Sequence, residues 1–127
     1  MIPTIVLVSI GGGFGAAARF LVDGAVQKAN GTGVPLGTAV VNATGSFLVG
    51  LVSSAVSAGL VGDEAASFAT IGILGGGGYT TFSTACVEAV RLLRGGMRRA
   101  ALLHLGGVLA MSTCCMLAGL AAGGALL

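Results

Sequence analysis

The sequence predicts an all-α membrane protein with a single domain, residues 1–127, made of four transmembrane helices of which the third is broken. Hydrophobic residues make up 55% of the chain and charged residues 8%, and the mean hydropathy is +1.04. Six basic and four acidic side chains cannot cover a soluble domain of this size. Four charge-free stretches reach or approach the length that crosses a bilayer, about 20 residues: Met1–Ala18, Ala29–Gly62, Ala65–Val87 and Ala100–Leu127.

The first helix is expected over Pro3–Val22, so that it continues past Arg19 and leaves that side chain near one face of the membrane. Gly11 and Gly15 stand four residues apart, a spacing that lets a neighbouring helix approach closely. The glycines also fit a dinucleotide-binding fingerprint formally, but no strand–helix alternation follows them. Arg19 is either a snorkelling end residue or a basic group in an aqueous vestibule. The N-terminus lacks the basic region of a signal peptide.

The second helix follows a polar loop that is expected over Asp23–Val34, and Pro35 suits its first turn. Thr38, Asn42 and Ser46 come at four-residue spacing and therefore share one face. A primary amide in these apolar surroundings needs hydrogen-bond partners. Asn42 therefore either bonds a neighbouring helix or lines a polar pore, and the sequence leaves both open.

The third helix is interrupted within Gly75–Glu88, which begins with four consecutive glycines. Each glycine costs a helix interior about 1 kcal/mol relative to alanine. In hydrocarbon a broken helix leaves backbone groups without partners, so the break persists only where protein or a polar cavity covers it. Hydroxyl side chains follow the glycines and surround one aromatic ring, Phe82: Thr80, Thr81, Ser83 and Thr84. We expect a polar site within the membrane here, as an ion pathway requires.

The fourth helix is expected from Ala100 onwards. Small residues occur along it at every fourth position and suit close packing against another helix: Gly106, Ala110, Cys114, Ala118 and Ala122. His104 is expected to be a solvated or hydrogen-bonded residue near the helix start, and Ser112 lies two turns away in a possible polar stripe. The three cysteines have no metal-binding spacing and are expected to be small packing residues.

The basic side chains all fall on one side of the predicted arrangement, in or beside the first and third loops: Arg19, Lys28, Arg91, Arg94, Arg98 and Arg99. The second loop carries only Asp63 and Glu64. The positive-inside rule therefore predicts cytoplasmic first and third loops, with both termini outside, in a multi-pass protein of the plasma membrane. Glu88 lies near Arg91 and Arg94, and it either forms a surface ion pair or guards a pore mouth.

The stretch Gly76–Thr84 reads Gly-Gly-Gly-Tyr-Thr-Thr-Phe-Ser-Thr and resembles the Fluc (CrcB) family of small fluoride channels. Other pieces match the family in the same order: Gly12-x-x-Gly15-Ala-x-x-Arg19 in the first helix, Pro35-x-Gly-Thr-x-x-x-Asn42-x-x-Gly-Ser-Phe in the second, and Glu88 after the break. The resemblance covers nearly the whole chain. It is the combination of pieces that is specific to the family.

The resemblance implies an antiparallel dimer with two narrow fluoride pores, each lined by both subunits. It also implies a structural sodium ion, Na+, at the dimer interface, held by the backbone carbonyls of Gly77 and Thr80. The remaining side chains that match the family divide between the pore lining (Asn42, Phe82, Thr38, Thr81, Ser83, Thr84 and Ser112) and the vestibule (Arg19 and Glu88). The partners implied are therefore fluoride, the lipid bilayer and a second subunit. No nucleic acid is expected.

Departures from the family pattern affect the pore. Ala85 stands where the family usually repeats the aromatic of Phe82, a tyrosine is usual near His104, and a serine is usual near Val108. At least one pore of a homodimer would lack its usual lining. An antiparallel homodimer also needs one sequence to insert both ways, which an imbalance of six basic side chains to none disfavours. We therefore expect an oppositely oriented paralogue as the partner, with a homodimer as the alternative.

Passive fluoride export, which protects the cell from fluoride toxicity, is the function that the resemblance implies. No nucleophile and base pair is visible, so we expect no enzyme. One alternative is a non-conducting or assembly partner in a heterodimeric channel, as Ala85 and Val108 would suit. Another is a small multidrug-type antiporter, which needs a carboxylate embedded in the membrane. That alternative is weak, because the predicted first helix has no acidic residue and the chain has no Trp.

Overall fold

A computed structural model describes residues 3–74 and 78–127, and within those ranges the chain is helical without strands. The helices are α1 (Thr4–Ala29), α2 (Leu36–Ser57), α3 (Asp63–Ser67), α4 (Ser83–Arg94) and α5 (Arg98–Leu126), and a π-helical segment (Phe68–Leu74) continues α3. In the described ranges three of these helices, α1, α2 and α5, are long and apolar enough to cross a membrane. The all-α prediction is therefore confirmed.

The third predicted span is a broken segment rather than a continuous helix. Its described parts are α3 with its π continuation, the non-helical residues 78–82, here called the turn, and α4, and neither helical half reaches spanning length by itself. Each half contains 12 residues, or roughly 18 Å of helix at 1.5 Å per residue if both were α-helical. A fourth crossing, made by the two halves together, stays a prediction.

The first helix is longer than the sequence suggested. The loop predicted over Asp23–Val34 is wrong in its first half, because α1 continues to Ala29. Polar side chains end the apolar run there, but polar residues do not by themselves end a helix. The helix continues as far as Asn30 and Gly31, a pair of residues that favours a helix end. The Asn30 side chain then donates to the Val34 carbonyl (2.7 Å) and closes the turn.

The extension of α1 supplies a cap for α2. Pro35 stands at the cap position and has no side-chain hydrogen bond to give. Instead, Gln27 Oε1 accepts from the backbone N–H groups of Leu36 (3.0 Å) and Gly37 (3.3 Å). These N–H groups belong to the first turn of α2 and have no acceptor within that helix. The last turn of α1 therefore fixes the first turn of α2.

Close backbone contacts hold α1 against the broken segment. Gly11 packs on the Phe68 ring, and a Cβ at Gly15 would collide with the Ile73 carbonyl and lie 2.8 Å from the Tyr79 amide nitrogen. No side chain larger than hydrogen fits at Gly15. The prediction that these two glycines admit a neighbouring helix is confirmed.

The α2–α5 contact uses a different face of α5 from the predicted one. Gly119 lies against the Phe47 carbonyl, and Gly50 lies against the backbone of Met116 and Leu120. A series at every fourth residue drifts around a helix of 3.6 residues per turn, by about 40° at each step. For that reason the predicted small-residue series is uncovered by this chain at four of its five positions, Gly106, Ala110, Cys114 and Ala118. The buried face of α5 instead holds Ala101, His104, Val108, Gly119 and Gly123, and their spacings of 3, 4, 11 and 4 residues keep them on one side of the helix.

Candidate functional site

The break in the third segment is a turn closed by backbone hydrogen bonds. The π-helical segment ends at Leu74 and α4 begins at Ser83. Beyond the glycines, the Tyr79 N–H donates to the Ile73 carbonyl (2.8 Å) and the Thr80 N–H donates to the Leu74 carbonyl (2.9 Å). A Cβ at Gly78 would collide with the Gly72 carbonyl and lie 2.6 Å from the Ile73 carbonyl oxygen, so only glycine fits. The predicted interruption is confirmed by the described residues on both sides of it.

Asn42 holds the turn from the side of α2. Its Nδ2 donates to the Thr81 carbonyl (2.7 Å), and its Oδ1 accepts from the Thr81 N–H (2.7 Å). One buried amide thus satisfies both backbone groups of a residue that has left helical geometry. Of the two readings that the sequence left open, the bond to a neighbouring segment is therefore present.

The hydroxyl cluster lies at the start of α4. Thr81 Oγ1 is 3.0 Å from Thr84 Oγ1 and 3.4 Å from Ser83 Oγ, and it accepts from the Thr84 N–H (3.3 Å). The N-terminus of a helix carries a partial positive charge and tends to bind anions. The cluster therefore places hydroxyl dipoles and a helix N-terminus at the same point.

A groove of about 180 Å³ brings together predicted pore residues from separate parts of the chain. Asn42 comes from α2, Thr81 and Phe82 from the turn, and Ser112 from α5. Phe82 is 59% exposed, and Ser112 Oγ is buried without a hydrogen-bond partner among the described residues. Val108 lines the same groove. Within the part of the chain that the structure describes, the groove therefore presents an uncovered ring and a hydroxyl without a partner.

A second cavity, of about 300 Å³, adjoins this groove. It is lined by Ala16, Arg19, Phe20, Asp23, Thr38, Val41, Thr81 and Thr84. Thr81 lines both cavities. Arg19 is half-buried, and its Nη1 is 3.5 Å from the Thr80 carbonyl, a long hydrogen bond. Arg19 therefore lies beside the break rather than extending away from it.

Glu88 does not form the surface ion pair that the sequence allowed. Its Oε1 accepts from Thr38 Oγ1 (2.9 Å), and its Oε2 lies 3.0 Å from His104 Nε2. The Glu88 side chain is 15% exposed and that of His104 only 3%. Arg91 and Arg94 point outward and do not pair with Glu88 in the described ranges. The sequence missed this pair because a spacing of 16 residues across a loop does not reveal which helix faces meet.

The predicted side chains thus fall into three groups. Asn42, Thr81, Phe82 and Ser112 line the groove, while Arg19, Thr38, Thr81 and Thr84 line the adjoining cavity. Ser83 is exposed and lines neither of them, although it touches the hydroxyl cluster. Glu88 reaches the cavity only through Thr38.

The predicted sodium ligands are seen only in part. Gly77 lies outside the described residues. The Thr80 carbonyl is described, and the long bond from Arg19, its one hydrogen bond within residues 3–74 and 78–127, leaves a lone pair unused. Carbonyl oxygen is a hard ligand of the kind that suits a hard cation. Thr80 therefore fits the implied ion in donor type, whereas the nearby guanidinium opposes a second positive charge.

Known proteins resemble this chain over most of its length. A family model described as "CrcB-like protein, Camphor Resistance (CrcB)" matches residues 6–120. The chain is 49% identical over 105 residues to "Fluoride-specific ion channel FluC 1" of Leifsonia xyli subsp. xyli, covering 81% of this chain and 74% of the relative. It is 42% identical over 120 residues to "Fluoride-specific ion channel FluC" of Chlorobaculum tepidum, covering 94% of this chain and 93% of the relative. A protein of the same name from Thermus thermophilus is 40% identical, covering 94% of each chain.

Proposed function

This chain belongs to the CrcB family of fluoride channels, which are not enzymes, and on that premise we propose that it is a pore-forming subunit through which cytoplasmic fluoride leaves the cell passively. Export of this kind lowers internal fluoride and protects against its toxicity. It needs no nucleotide or covalent step. We propose that the chain is an integral protein of the plasma membrane.

The single observation that carries this proposal is the groove shared by Asn42, Thr81, Phe82 and Ser112. Fluoride has to exchange its water shell for weaker contacts that still let it leave. The Ser112 hydroxyl and the second N–H of the Asn42 amide can donate to an anion. The positive edge of the Phe82 ring adds a weaker attraction. None of these groups carries a full positive charge that would trap the ion.

The cavity that holds Arg19 is the proposed entrance. A guanidinium raises the local concentration of anions, and the hydroxyls of Thr38, Thr81 and Thr84 line the way from it to the groove. Arg19 also bonds, if weakly, to the Thr80 carbonyl of the turn. The Arg19 side chain therefore lines the proposed entrance and also contacts the backbone of the turn.

A second subunit of opposite orientation is proposed as the partner. Large apolar side chains stay uncovered on α1 and α5, among them Phe14, Phe20, Leu102 and Leu103, and the Phe82 ring is uncovered too. Lipid or another subunit has to cover them. The charge imbalance between the loops favours a single orientation for this chain, with its first and third loops in the cytoplasm. An antiparallel pair then requires a paralogue.

A sodium ion at the interface is proposed as well. The carbonyls of Gly77 and Thr80 from each subunit would hold it, and its charge would compensate the carbonyl dipoles gathered there. The ion would also set the positions of the two breaks relative to each other. Replacing sodium by a large organic cation in the purification buffer should then lower the thermal stability of the dimer, as measured by the temperature at which it dissociates. An unchanged temperature would contradict the sodium site.

Fluoride efflux from liposomes tests the proposed function. Three preparations are reconstituted: this chain alone, this chain with its oppositely oriented paralogue, and the paralogue alone. Released fluoride is measured with an electrode. We expect efflux from the pair, with chloride retained. If neither the chain alone nor the pair releases fluoride, the channel function is contradicted. Efflux that is equal with and without this chain would instead favour the non-conducting partner, which the buried Ala85 and Val108 would suit.

Reporter fusions at Leu127 test the orientation. An external C-terminus in nearly all molecules is expected from the charge distribution. If cytoplasmic C-termini are as frequent as external ones, the chain inserts both ways and the homodimer becomes the better assembly.

A further inference from the structure

We propose that His104 makes fluoride conduction by this channel depend on pH, because protonation of its imidazole cancels the charge of Glu88 beside the ion entrance. Flux is then higher under acidic conditions. The inference rests on the proposed function, and it concerns two side chains that line neither the groove nor the Arg19 cavity. His104 acts as a positioning and charge-compensating residue and does not touch the ion.

The contacts around Glu88 form a continuous chain from His104 to the Arg19 cavity. His104 Nε2 is 3.0 Å from Glu88 Oε2, and Glu88 Oε1 accepts from Thr38 Oγ1 at 2.9 Å. Thr38 lines the cavity with Arg19 and is itself almost fully buried. The Glu88 charge is therefore one hydrogen bond away from the cavity. In such partly desolvated surroundings, charges act over longer distances than they do in water.

The charge of the pair has two values. With a neutral imidazole, Nε2–H donates to Glu88 and the pair carries one negative charge. A proton taken from water adds N–H to Nδ1, and the pair becomes a neutral ion pair. Histidine is the side chain that normally changes charge between about pH 5 and pH 8. A negative charge next to the entrance repels an incoming anion, and removal of that charge lowers the barrier to entry.

The other charged groups around the pair do not duplicate this change. Helix α2 has no ionisable side chain, so Thr38 is its only contribution to the pair. On α4 and α5, four arginines are exposed and keep their charge throughout this pH range: Arg91, Arg94, Arg98 and Arg99. Across the cavity, α1 presents Arg19 and Asp23, which form no ion pair in the described ranges. His104 is the only histidine in the sequence.

Liposome efflux at equal internal and external pH tests the inference. The channel, with its partner where one is needed, is measured at about pH 6 and about pH 8, and leakage from protein-free liposomes is subtracted at each pH. We expect the wild-type flux to be about tenfold higher at the lower pH, the size of effect that a unit charge at short range produces in a partly desolvated site. In H104Q, an amide keeps a donor for Glu88 but cannot take up a proton. The ratio of its fluxes at the two pH values should be close to one, whatever its absolute rate.

Two further variants complete the test. Leu102→Ala lies two residues from His104 on the uncovered side of α5, and it should keep the wild-type ratio. Glu88→Gln, which removes the negative charge directly, should raise the flux at about pH 8 towards the wild-type flux at about pH 6. The inference is overturned by a wild-type flux that is equal at both pH values, a result that needs no variant, or by an H104Q flux that retains the wild-type ratio. Absence of fluoride flux at every pH would contradict the channel and the inference together, whereas a flux that ignores pH contradicts the inference alone.

Discussion

Where α2 meets α5, glycines lie within two unbroken helices, whereas Gly78 lies between the end of one helical segment and the start of another. At Gly50 and Gly119 the missing side chain lets one backbone rest on another, and the hydrogen bonds within each helix stay intact. At the turn, the backbone gives up that regularity and is satisfied by Asn42 from α2. Glycines thus allow close packing of two helices in the first region and accompany the interruption of a helix in the second.

The difference separates the effects of mutation. Substitutions between α2 and α5 should change stability and leave the chemistry of the ion path alone. Substitutions at the turn and groove should change conduction. Their effect on folding should be smaller where the removed group has no hydrogen-bond partner. Three variants test this separation, and they follow in order of expected effect.

Asn42→Asp should lower fluoride flux by about 100-fold or more, because it removes the Nδ2 donor from the Thr81 carbonyl and places a carboxylate in the groove. Efflux from liposomes measures the loss. Ser53→Ala is the matched control, since the Ser53 hydroxyl bonds only the Val49 carbonyl of its own helix, away from the groove. Undiminished flux in Asn42→Asp would remove this residue from the ion path.

Gly119→Ala should destabilise the protein by about 1–3 kcal/mol, because its Cβ would collide with the Phe47 carbonyl and force the two helices apart. Thermal unfolding in detergent measures the change. Gly106→Ala is the control on the same helix, where a Cβ meets no atom of this chain within 4 Å. Equal stability of the two variants would show that α2 and α5 are not held at this distance by the Gly119 contact.

Ser112→Ala should reduce flux by several-fold, with little effect on stability. A buried hydroxyl without a partner gives up little when it is removed, and Ser112 Oγ has none among the described residues. Flux and thermal unfolding, measured on the same preparation, separate the two effects. Loss of stability at unchanged flux would assign Ser112 to packing instead of to the groove.

Local features of the fold could be predicted from the sequence, and contacts between helices often could not. The break around Gly78 was predictable because glycine weakens a helix wherever it occurs. The close approach at Gly15 was predictable too, since it needs only the glycine spacing. The end of α1 was placed too early because the change from apolar to polar side chains marks the membrane surface, and here the helix continues beyond it.

The site shows the same limit. The sequence predicted that the Asn42 amide needs a partner, but which atoms it bonds depends on how α2 is rotated against the turn. The Glu88 side chain was placed near arginines because they are close in sequence, whereas its α4 face, with Ala85, Ala89 and Leu92, is the one buried. A face buried in that way turns the carboxylate towards α2 and α5. Only the packing of three helices reveals His104 as its partner.

The bond between Asn42 and Thr81 also bears on how the chain is made. Synthesis proceeds from the N-terminus, so α2 leaves the ribosome before the segment that contains Thr81. The amide is therefore in place when the irregular backbone arrives, and Thr81 need not wait in hydrocarbon with its polar groups unmet. The order of these two segments along the gene thus suits the order in which they need each other.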